Sequence, residues 1–177
     1  MRHPALSGKT VARGAGNPRR AALPPKPPDP GGDFAPHPGS LPGMKALPGV
    51  SASALLTVSA ADTAPALASG DVPVLATPRL LALCEEATVA AVAPFLEEGE
   101  TTVGSRVEFE HLAPSTPGAL VEATAVLEAV AGPRLTFAVT ARAGDRLVGR
   151  GTIQRVVVDR RRFLAQAGGA SARGGPV

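Results

Sequence analysis

One imidazole and one carboxylate are the side chains of this sequence that could pass protons between them. Of the three histidines, His3 and His37 fall in a Pro/Gly-rich stretch, which leaves His111 as the only imidazole in the part that can fold. It closes the run Thr101-Thr102-Val103-Gly104-Ser105-Arg106-Val107-Glu108-Phe109-Glu110-His111. A strand repeat of two residues sets His111 on one apolar face with Val103, Val107 and Phe109. A histidine that points into a core is either tied down by a partner or in use. Its best partner on offer is Glu85, which also falls on an apolar face. An imidazole beside a carboxylate can do general acid–base work, and the carboxylate can also act as a nucleophile. Taken alone, His111 reads more readily as a hydrogen-bonded core histidine than as a catalyst.

Glu85 is placed by a helix. Thr77-Pro78 starts it: Thr caps free amides, and Pro fits the first turn, where its missing N–H is no loss. The pattern predicts a helix from Pro78 to about Glu97, ending before Glu98-Gly99-Glu100. At 3.6 residues per turn, Leu81, Cys84, Thr88, Ala91, Val92 and Phe95 share an arc; Glu85 falls inside it and Glu86 points to solvent. His111 is placed by strands. Ala54–Ser59 is the first, and Val103–Leu112, Leu120–Val130, Leu135–Ala141 and Leu147–Val158 follow the helix. Gly132-Pro133 and Gly144-Asp145 turn the last three into an antiparallel meander. The expected class is α+β, one sheet wrapped on a single central helix.

Composition confines the folded part. Residues 1–43 hold ten of the nineteen prolines and a net charge of +4, which leaves −1 for the remainder of a +3 chain. The basic balance therefore belongs to a disordered leader, and no nucleic-acid motif stands behind it. Met44 opens Met44-Lys45-Ala46-Leu47 like a normal start, so residues 1–43 are either a true extension or upstream of the natural beginning. The expected domain spans 44–168, with a flexible tail over 169–177. No run approaches the roughly 20 apolar residues of a membrane span, and no secretory signal is visible. A single cysteine, Cys84, excludes an internal disulfide framework and reads as a small buried hydrophobe. A cytoplasmic protein without metal or other cofactor, without membrane or nucleic-acid partners, is expected.

The element order and several motifs resemble one family. The stretch Val74-Leu75-Ala76-Thr77, Leu83-Cys84-Glu85-Glu86-Ala87, Ala93-Pro94-Phe95-Leu96-Glu97-Glu98-Gly99-Glu100, Val103-Gly104, His111 and Ala113-Pro114-Ser115-Thr116-Pro117-Gly118 is similar to the hotdog-fold fluoroacetyl-CoA thioesterase family, over residues from about 50 to 165. The resemblance implies a hotdog fold and an acyl-CoA thioesterase that releases a carboxylate and free coenzyme A. It implies catalytic residues Thr77, Glu85 and His111, with Gly104 letting main chain approach the substrate. It also implies a homodimer with sites between subunits. Two departures stand out. Pro78 follows the Thr where the family's best-known member has a small residue, and no aromatic residue lies between Phe34 and Phe95 to form that member's lid. Selectivity for a fluorinated acyl group is therefore not carried over.

In the implied chemistry Glu85 is nucleophile or general base, His111 activates water or hands a proton to the departing thiol, and Thr77 positions either. Each residue has a plainer reading. Thr77 serves as a cap, Glu85 pairs with an arginine such as Arg106 or Arg155, and Gly104 marks a bulge or a close packing contact. Asp159-Arg160-Arg161-Arg162 could hold coenzyme A phosphates, but reads better as a solvated chain end. The alternative function is a hotdog protein that binds acyl-CoA or a related ligand without hydrolysing it.

Overall fold

The computed structural model describes residues 46–170. The expected leader over 1–43 and most of the expected tail lie outside them. In chain order the elements are β1 (Ser51–Thr57), α1 (Thr77–Val92), β2 (Glu100–His111), β3 (Leu120–Ala131), β4 (Arg134–Ala143), β5 (Arg146–Asp159) and α2 (Arg160–Ala170). The five strands form one antiparallel sheet in the order β1-β3-β4-β5-β2. The β3–β4–β5 meander is closed by Gly132 and Gly144, each at φ +58°. A positive φ at the first central residue is what a type II′ hairpin turn demands, and glycine supplies it without strain.

One face of the sheet is apolar on every strand of the meander. Val121, Ala123, Ala125 and Leu127 on β3, and Leu135, Phe137 and Ala141 on β4, are fully buried. α1 lies over this face and buries Leu80, Leu83, Cys84, Ala87, Thr88, Ala91 and Val92. Each such leucine contributes about 2 kcal/mol of transfer free energy. The arc is rotated from the expected one: Leu80 and Leu83 lead it, while Leu81 and Phe95 are half-buried. Glu85 accordingly sits at its edge rather than inside it.

α1 also stops sooner than the pattern predicts, at Val92, and a 3-10 turn over Ala93–Phe95 follows. Pro94 explains the difference, because its ring blocks the carbonyl four residues back and offers no N–H to continue the ladder. Where a solvated chain end was expected after β5, a second helix forms. Asp159 Oδ1 accepts a 2.8 Å hydrogen bond from the Arg162 amide and so caps α2. No helix among the described residues is long and apolar enough to cross a membrane.

The departure that matters most is in β2. Gly104 pairs with Arg155 and Arg106 with Gln154, so Ser105 is an extra residue, a β-bulge. Thr102 and Gly104 before the bulge, and Val107, Phe109 and His111 after it, all pair with residues of one face of β5: Val157, Arg155, Ile153, Gly151 and Gly149. This is the face that α1 covers. The simple alternation expected Val103 there. Instead Val103 pairs with Val156 on the opposite face, and Gly104 takes its place.

Candidate active site

The four residues singled out in the sequence fall into two pairs. Thr77 begins α1 and His111 ends β2, and Thr77 Oγ1 lies 3.0 Å from His111 Nδ1. The capping reading of Thr77 does not hold: Ala76 is the N-cap residue, no side chain caps it, and the threonine hydroxyl is hydrogen-bonded to the imidazole instead. The start of α1 is anchored from outside by Arg79, whose Nε donates to Asp62 Oδ1 at 2.8 Å. Asp62 also accepts from the Ser59 amide and hydroxyl, and these bonds, Ser59 first, hold its carboxyl below the usual range. Burial pushes the His111 imidazole down from its ordinary value, so the ring is neutral at pH 7. Its Nε2 is buried and has no hydrogen-bond partner among the described residues.

The second pair is Glu85 and Gly104. A Cβ built on Gly104 would stand 2.7 Å from Glu85 Oε1, so the glycine is the space into which the carboxylate reaches. Arg155 completes this group. It is 6% exposed, and its Nε and Nη2 donate to the Thr102 hydroxyl and carbonyl, both at 2.9 Å. Its Nη1 approaches Glu85 Oε1 at only 3.4 Å. The guanidinium is thus fixed by Thr102 and steers Glu85 loosely. A tightly paired buried acid would be spent on structure; this one is 37% exposed at its side chain and only loosely paired. Of the two arginines the sequence offered, Arg155 is the partner; Arg106 pairs with Glu108 on the other face. Arg155 was legible as the one charge on an apolar strand face, between Ile153 and Val157.

The chain does not bring the two pairs together. Thr77 and Glu85 are eight residues apart on α1, about 12 Å at 1.5 Å per residue. Gly104 and His111 are separated by the six residues from Arg155 to Gly149 on β5, about 20 Å of strand. Within one chain His111 is the partner of Thr77, not of Glu85. Cys84 takes no part: it is fully buried, and burial, with Glu85 adding to it, pushes its thiol up to about 12.

The sequence pattern of the fluoroacetyl-CoA-specific thioesterase family FlK matches residues 58–161. The chain belongs to this family. A fluoroacetyl-CoA thioesterase of Streptantibioticus cattleyicolor is 40% identical to it over 93 residues, 52% of this chain and 67% of the relative. The crystal structure of fluoroacetyl-CoA thioesterase FlK superposes with a TM-score of 0.67 at 31% identity, covering 74% of this chain and 98% of that one. A thioesterase superfamily member from Thermus thermophilus gives 0.68 at 31% identity, over 73% and 97%. A further FlK structure, holding fluoroacetate and CoA, gives 0.63 at 33% identity, over 67% and 99%. The fold is the hotdog fold of these thioesterases, and the chain is a thioester hydrolase of the FlK family acting on acyl-CoA.

Proposed function

We propose that the chain hydrolyses acyl-CoA as a homodimer, each active site built from Glu85, Gly104 and Arg155 of one subunit and Thr77 and His111 of the other. The observation that carries this reading is the separation of the two pairs along one chain, each of them half a site. β2 is an edge of the sheet and 12 residues long, an open template for another strand. Antiparallel pairing of two β2 edges about a two-fold axis through mid-strand sets Gly104 of one copy across from His111 of the other. Val107, 38% exposed on the α1 face, is covered by the same pairing.

In such a site Glu85 reaches the thioester carbonyl carbon directly or through a water it deprotonates. The backbone at the Gly104–Ser105 bulge, where Ser105 has no ladder partner, offers an N–H to the developing oxyanion. With Nδ1 donating to Thr77 Oγ1, His111 keeps its lone pair on Nε2, accepts a proton from water and returns it to the coenzyme A thiolate as the acyl C–S bond breaks. Because Thr77 caps nothing, Thr77→Val leaves the melting temperature unchanged and lowers kcat by about 10- to 100-fold, whereas Thr77→Ser keeps most activity; melts and steady-state kinetics check both. The lowered His111 pKa places the acid limb of kcat/KM below the ordinary imidazole value of 6.5. In the same window the unfolded chain binds the extra proton, so stability rises with pH there and is lost below it.

The acyl group is read as broad rather than fluorinated, since no aromatic residue lies between Phe34 and Phe95. The compartment that suits a lone reduced thiol such as Cys84 is the cytoplasm. Thiol release from a panel of short and medium acyl-CoAs tests the reading. Turnover on some of them is expected; inertness toward every thioester would leave only ligand binding.

A further inference from the structure

Where β5 faces the His111 end of β2 it carries two glycines in place of side chains. Gly149 pairs with His111 and Gly151 with Phe109. Their partners on β4, Ala141 and Val139, are buried, so both glycines lie on the face that α1 covers. Neither has a positive φ, so no turn requires them. What requires them is space. A Cβ on Gly149 would stand 2.6 Å from Phe109 Cζ and 3.1 Å from Leu80 Cδ2; one on Gly151 would run into the Glu108 carbonyl oxygen. The Phe109 ring lies over bare backbone and leans one register step toward the His111 pair, where its Cζ and Leu80 Cδ2 border the same space over Gly149. Leu80 is fully buried in the first turn of α1, three residues after Thr77.

Phe109 therefore ties together the two elements that carry Thr77 and His111. The tie matters because few contacts hold the imidazole. Thr77 engages Nδ1, and a backbone hydrogen bond at Ala113 opposes the effect of burial, but neither fixes the ring plane, since the ring torsion of a histidine is intrinsically broad. We propose that Gly149 and Phe109 are positioning residues for His111: the glycine admits the ring, and the ring locks the end of β2 against Leu80 at the distance the Thr77–His111 hydrogen bond needs. The importance of this lock to turnover rests on the hydrolase reading; its effect on the imidazole rests on the packing alone. The nearby charges are otherwise engaged, Arg150 with Glu110 on the opposite face of the sheet, Arg79 with Asp62 outside the start of α1, and Arg146 with the Pro114 carbonyl.

The test uses the full chain with Gly149→Ala, Phe109→Leu, and the two combined. Leucine lacks Cζ, so the added methyl finds the space that the ring vacates. Ring-nitrogen NMR of His111 across pH, assigned by its loss in His111→Ala, is read beside kcat and KM. Gly149→Ala should lower kcat roughly tenfold with KM within about threefold, and should move the imidazole titration toward its ordinary value. Adding Phe109→Leu should restore both. Phe109→Leu alone should shift the titration in the same direction, which keeps the test decisive if Gly149→Ala does not fold. An imidazole that titrates as in the wild type in every folded variant overturns the proposal. So does a kcat loss that Phe109→Leu fails to recover while the melting temperature is recovered. The titration needs no turnover, so a wild type inert toward acyl-CoA would overturn the hydrolase reading and leave this test standing.

Discussion

Glu85→Gln lowers kcat on the preferred acyl-CoA by about 10³-fold, about 4 kcal/mol of transition-state stabilisation, and leaves the melting temperature within about 2 °C. The substitution keeps the shape that fits over Gly104 and removes the charge that attacks or deprotonates. Stability is spared because Glu85 is partly exposed and Arg155 does not depend on it: two hydrogen bonds to Thr102 hold the guanidinium in place. Removing the partner of a tightly paired buried cation would cost several kcal/mol. The loose 3.4 Å contact implies a far smaller loss. His111→Ala should reach a similar kcat without touching Glu85. Stopped thiol-release assays and thermal melts on the same preparations decide the matter. A Glu85→Gln variant that turns over at the wild-type rate would remove the carboxylate from the mechanism.

The second expected result is a recovery rather than a loss. Glu85→Ala and His111→Ala, each inactive, regain activity when their subunits are exchanged into mixed dimers. One site of the mixed dimer lacks both groups, and the other has Glu85 from one chain and His111 from its partner. Random exchange of equal amounts makes half of the dimers mixed with one good site each, so about a quarter of wild-type activity returns. A thiol-release assay on the exchanged mixture measures it, and co-expression with two affinity tags isolates the mixed dimer alone, whose activity per dimer should be about half that of the wild type. Mixed dimers as inactive as their parents would mean that each site draws both groups from a single chain, against the separation along α1 and β2.

Much of the fold was readable because its signals are local and repeated. The alternation in Leu120–Val130 and Leu135–Ala141 recurs as the buried rows of β3 and β4, and Thr77-Pro78 marks where α1 begins. The failures share one cause, a single residue that resets a period. Pro94 ends a helix whose apolar spacing continues to Phe95, and Ser105 adds a residue to a strand that otherwise alternates. Periodicity averages over a window, and neither event alters enough of it to show. Residue types in the candidate site were legible, but their grouping was not. Whether Glu85 answers to His111 or to Arg155 depends on where strands land side by side. Gly149 and Gly151 look like flexible breaks in a strand until the Phe109 ring is seen filling them.

The bulge at Ser105 also bears on how such a chain can change over time. Gly104 and His111 are an odd number of residues apart yet share a face, because the strand absorbs one residue between them. Gaining or losing a single residue in that interval would invert the parity and turn the imidazole out of the site, while a change by two would restore it. Insertions and deletions here are therefore filtered as in a reading frame, with two as the permitted unit.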